Sequence, residues 1–98
     1  MIEKLERLAA AGIQLLPAVE ITSHFVFERD GFVALVERRG DEFGEVGTAG
    51  LLTQSGVAPL MMKNGRQVFV TKRDETPATD EQVEKLRAFQ RDLQAAIS

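Results

Sequence analysis

The sequence predicts an α+β domain: a four- to five-stranded antiparallel sheet built from two hairpins, with an N-terminal and a C-terminal helix packed on one face. Three observations carry that expectation. The run from His24 to Val36 holds two stretches rich in Val and Phe that meet at Asp30-Gly31, a dipeptide that accepts positive φ with little strain. Leu60-Met61-Met62-Lys63 and Arg66 to Thr71 repeat the plan around Asn64-Gly65. Beyond them Val83, Leu86, Phe89, Leu93 and Ile97 recur at helical spacing, an apolar stripe that needs a sheet or another helix to cover it.

Taken in order, Ile2, Leu5, Leu8 and Ala9 fall on one helical face, and Glu3 precedes Arg7 in the favourable i, i+4 order. A helix over about residues 2–11 follows. Gly12 suits a left-handed C′ position, Ile13 supplies the apolar contact of a Schellman ending, and Pro17 stops the helix from resuming. Val19, Ile21, Phe25 and Phe27 then alternate with Glu20, Thr22, His24 and Glu28, the period of a half-buried strand with its odd face inward.

The return strand can pair in two ways. A two-residue Asp30-Gly31 loop sets Phe27 opposite Ala34; a three-residue loop with Gly31 as a bulge sets Phe27 opposite Val33 and Phe25 opposite Leu35. The second gathers the larger side chains and is preferred. It leaves Val26, Phe32, Ala34 and Val36 on the other face beside His24.

Gly40-Asp41-Glu42 reads as a turn and Phe43 to Val46 as a short third strand. Over residues 48–56 Thr48 caps one helical turn that Gly56 ends, with an extended segment as the alternative. Pro59 cannot donate to a ladder, so the strand around Leu60 begins there or lies at an edge. Thr79 with Gln82 forms a capping box for the last helix, Asp80 and Glu81 complement its dipole, and Glu81 reaches Lys85. Thr76-Pro77 is a competing start.

Ninety-eight residues suit one domain over 1–98, a length that buries roughly 60–70% of its unfolded surface. With 44% apolar and 28% charged residues the composition is that of a soluble globular chain, and all six aromatics are Phe. A net charge of −3 and a pI near 5.1 argue against nucleic acid as a partner. Absence of Cys removes disulfides and thiolate chemistry, which fits a reducing cytoplasm. The first residues lack the apolar core of a signal peptide, and no stretch approaches the ~20 residues of a membrane span, so no membrane partner is expected.

No motif for catalysis, metal or phosphate stands out. Gly44-Glu45-Val46-Gly47-Thr48-Ala49-Gly50 is the best small-ligand loop, yet its spacing is neither a dinucleotide fingerprint nor a P-loop; the plainer reading is a connector whose glycines permit close approach to a neighbouring strand. His24 is the only histidine and has no carboxylate cluster at ligand spacing around it, so no metal and no cofactor are expected. Glu37 faces it across the hairpin and Ser23 is its neighbour, the one arrangement a hydrolase or transferase could use, though adjacent strand residues point to opposite faces. Arg38-Arg39 and Lys72-Arg73 read as a solvated sheet rim neutralised by Asp41-Glu42 and Asp74-Glu75.

The order helix, strands, short helix, strands, helix, together with the acidic pI, resembles that of the small acidic dimeric chaperones of type III secretion. The resemblance implies a dimeric chaperone-like role. The residues themselves lead to a small soluble non-enzymatic interaction module, most simply a homodimer that buries Val26, Phe32, Ala34, Val36, Leu60, Val68 and Val70 on the sheet face away from the helices. The alternatives are a small-ligand domain with a pocket near Gly44, Gly47 and Gly50, taking in His24 and Glu37, and the enzyme using those last two.

Overall fold

A computed structural model describes residues 2–17 and 22–98; Val19 and Ile21, expected in the first long strand, lie outside them. The order is α1 (Ile2–Ala10), β1 (Gln14–Leu16), β2 (His24–Arg29), β3 (Phe32–Arg39), β4 (Glu42–Val46), β5 (Gly50–Thr53), β6 (Gly56–Lys63), β7 (Arg66–Val70), β8 (Glu75–Pro77) and α2 (Asp80–Ile97). The four- to five-stranded sheet is corrected: seven to eight antiparallel strands form a curled half-barrel, and among the described residues the two helices are N- and C-terminal. Strands pair with their neighbours in sequence, except that β4 and β5 do not pair with each other and both pair with β3.

The two helices form where capping and periodicity place them. At the end of α1, Gly12 takes φ +75°, its N–H donates to the Ala9 carbonyl, and Ile13 N–H donates back to Leu8 at 2.9 Å, with Leu8 and Ile13 both buried. Thr79 Oγ1 accepts from Gln82 N–H while the Gln82 side chain accepts from Thr79 N–H, closing the capping box of α2. The stripe Val83, Leu86, Phe89, Leu93 and Ile97 is buried. Pro77 ends the short strand β8 instead of starting the helix.

Turn chemistry decides the first hairpin. Asp30 and Gly31 take φ +55° and +86°, the positive pair a two-residue type I′ turn requires, and Asn64-Gly65 does the same at +52° and +77°. Phe27 therefore pairs with Ala34 and Phe25 with Val36, which corrects the preferred bulged register. One residue of slip exchanges the two faces of a strand. Phe27, Phe32, Ala34 and Val36 now form one buried cluster with Leu8, Leu86, Phe89 and Leu93, so both helices cover that face; His24, Val26, Val33, Leu35 and Glu37 take the other. Phe25, Phe27 and Phe43 stack at tilted and edge-on angles, 5.1–6.3 Å between centroids.

From Glu42 to Thr53 the chain is one bent strand. It runs antiparallel to the whole of β3, but its register slips one residue between Phe43 and Val46 and again before Gly50, breaking it into β4 and β5. The short helix expected over 48–56 is instead the hairpin β5–β6: Thr53 pairs with Gly56, whose φ of +113° closes the turn. β6 then hands over its pairing, residues 56–59 to β5 and 60–63 to β7, and Pro59 sits at the handover instead of at the strand's start. The hairpin removes the middle helix on which the resemblance in element order depends.

A half-buried Arg29 ties the ends together. Its Nη1 donates to the Ala11 carbonyl at the end of α1 (3.0 Å) and to Asp92 Oδ2 on α2 (2.9 Å), and its guanidinium lies 5.7 Å from the Phe89 ring centroid.

Candidate functional site

The helix-free face of the sheet carries a cleft of about 440 Å³. Its floor is Val26 from β2, Val33 and Leu35 from β3, and Val57 from β6; the bent segment Glu45 to Thr48 forms one wall, and His24 and Glu37 lie at one end. The sheet hollows here because of the register slips. Between the Val36 and Val33 pairings the regular ladder is interrupted, and Gly47 N–H donates to the Leu35 carbonyl at 2.8 Å.

Three glycines make that path sterically feasible. A Cβ on Gly47 would lie 3.0 Å from the Leu35 carbonyl oxygen; one on Gly50 would lie 2.7 Å from both the Ala58 carbonyl oxygen and Val57 Cγ1. At Gly44 a Cβ would meet Glu37 Oε1 at 2.7 Å, because the Glu37–Arg39 ion pair lies across that position. Close approach, the plainer reading of this loop, is what the glycines permit. Gly47 lines the cleft, Gly50 is buried behind it, and Gly44 lies outside its lining.

The polar end has a definite arrangement. His24 pairs with Glu37 across the hairpin, and Ser23 Oγ lies 2.8 Å from His24 Nδ1. Ser23 precedes the strand, so strand alternation does not turn it away from its neighbour. Glu37 accepts from Arg39 Nε, and that hydrogen bond, ahead of the Coulomb attraction between the two charges, raises the Arg39 pKa above its usual value. Among the described residues no hydrogen bond joins His24 to Glu37; His24 is held by Ser23 and Glu37 by Arg39. No group of three or more metal-ligating side chains occurs among the described residues.

The residues expected at a dimer face are divided. Phe32, Ala34 and Val36 are buried under the helices, Leu60 packs half-buried against the same core, and Val68 is buried; Val26 lies in the cleft and Val70 is half-buried at the end of β7. The register slip accounts for the first three. The bulged pairing assigns Val33 and Leu35 to the core, and Val57 follows directly on the stretch 48–56 that reads as a helical turn ended by Gly56, so neither pattern points to the cleft floor. The apolar residues exposed on the helix-free face are Leu35, Leu52, Val57 and Met61, 39–51% accessible.

No helix among the described residues is long and apolar enough to cross a membrane. The chain matches no family model, no curated protein and no solved structure.

Proposed function

We propose that the protein is a small non-enzymatic binding module whose recognition surface is the helix-free face of the sheet, centred on the cleft. The observation that carries this is the cleft itself: about 440 Å³ of concave, mostly apolar surface with a few polar groups gathered at one end, the usual form of a ligand site. A fragment screen read by amide chemical shifts tests it. Binders should shift Val26, Val33, Leu35, Gly47 and Val57 together and raise the melting temperature. Hits that leave those amides unmoved would remove the reading.

Homodimerisation through the same face is the second reading, favoured by the exposure of Leu35, Leu52, Val57 and Met61 on one side of the sheet. Light scattering should then give twice the 10.8 kDa chain mass at micromolar concentration, and Val57→Glu should return the monomer. Phe32→Glu or Val36→Glu would be uninformative, since a charge at either site would sit in the core. A monomer at high concentration would dismiss the dimer and leave the cleft reading standing.

A further inference from the structure

We propose that the occupant of the cleft is an amphiphilic cation: an aliphatic or aromatic body carrying an amine or guanidinium at one end. The inference rests on the binding-module reading and adds the ligand's charge. Among the described residues the charged lining of the cleft consists of Glu37 and Glu45, and no Lys or Arg lines it. An anion entering here would meet two carboxylates with no Lys or Arg in the described lining to receive it, whereas an ammonium would meet two acceptors.

Arg39 holds Glu37 Oε1 from outside the cleft lining. Both partners are well exposed, and exposed ion pairs contribute little net stability. A ligand cation can therefore use the second carboxylate oxygen or displace Arg39 at small cost. Among the described residues Glu45 forms no ion pair within 4.0 Å and is exposed, with Arg39 attracting it only through space, so its carboxylate can accept from a ligand. Opposite this acidic end lie Val26, Val33, Leu35 and Val57, which offer only apolar contact. The ligand must be apolar at one end and positive at the other to satisfy both.

Three probes of equal body and different head test this: n-octylammonium, n-octanol and n-octanoate, each titrated below its micellar range with amide shifts as the readout. The ammonium should bind saturably at the cleft residues and ~10-fold more tightly than the alcohol, with the carboxylate weakest. The double substitution E37Q/E45Q should bring the ammonium's affinity down to that of the alcohol while leaving the alcohol unchanged. Should that variant not fold, E45Q alone, at an exposed position, must weaken the ammonium selectively. Equal affinities for ammonium and alcohol, or a preference for octanoate, would overturn the cationic assignment and spare the cleft. Absence of cleft shifts with all three would overturn both.

Discussion

Arg29 and Asp92 show how one half-buried pair turns pH into stability. The hydrogen bond from Arg29, more than any other influence, holds the Asp92 carboxyl below its usual range. A carboxyl depressed in the folded state stabilises at pH values above its unfolded pKa of about 3.9, and that contribution is lost as pH falls through the lower folded value. Asp92→Asn should therefore lower the urea midpoint at pH 7, and the gap to the parent should close on descending through the acid range to about pH 2. A gap that persists undiminished in acid would show that the carboxylate charge is not what stabilises. Gly50 is the second telling residue. Its backbone is not left-handed, so Gly50→Ala tests only space: a methyl 2.7 Å from the Ala58 carbonyl forces the β5–β6 ladder apart and should cost about 1–3 kcal/mol in a denaturant melt. A neutral result would show that the ladder yields. At this scale the sequence is uneven as a guide. Gly12, Gly31 and Gly65 announce themselves through positive φ, whereas Arg29, one charge among many, gives no sign of the helix end and Asp92 it meets from 63 residues away.

Elements were legible where a local rule fixes them. Thr79 and Gln82 name the start of α2, and Thr79→Ala should cost about 1 kcal/mol with the rest of the helix intact; no loss would mean that packing of the stripe alone sets the helix start. Asp30-Gly31 and Asn64-Gly65 name two hairpins correctly, but the first was given the wrong loop length because three residues brought larger side chains together than two did. Backbone twist outweighed that gain, and the core changed from Val33 and Leu35 to Phe32, Ala34 and Val36. Phe27→Ala and Phe89→Ala should each cost about 3–5 kcal/mol, since both rings are buried in the shared cluster, and losses below about 1 kcal/mol at both would place that cluster wrongly. Strands β1 and β8 escaped notice at three residues each, too short to show a period. The hairpin β5–β6 escaped because Gln54-Ser55 is no strong turn signal and Thr48 and Gly56 imitate helix boundaries. Of the candidate site, the hairpin brings His24 near Glu37, but their direct pairing and the apolar floor both depend on the two-residue register.

At the scale of the whole molecule the chain is an acidic, somewhat elongated body, 42 × 27 × 19 Å, with a net charge of −3. Of its twelve Lys and Arg side chains, Arg29, Arg39, Lys63, Lys85 and Arg91 each pair with a carboxylate, and acidic residues outnumber basic ones. Duplex DNA should therefore not be retained at physiological salt, and micromolar, strongly salt-dependent binding in a polarisation assay would contradict this. The order of strands in the sheet also bears on time. Because the strands pair with the next one along the chain once β4 and β5 are counted as one bent strand against β3, the ladders close between segments near in sequence, whereas the docking of α1 and Arg29 onto α2 must wait for distant parts of the chain to meet. Hairpins should accordingly be present in the transition state and the helix contacts absent from it. In stopped-flow chevrons, Gly31→Ala should slow folding with little change in the unfolding rate, while Leu93→Ala should leave folding almost untouched and speed unfolding. The reverse pattern would mean that the ends of the chain meet before the sheet zips. If the expected pattern holds, the life of the folded protein against proteolysis is set by how often α2 lifts, and the sheet beneath reforms at once when it does.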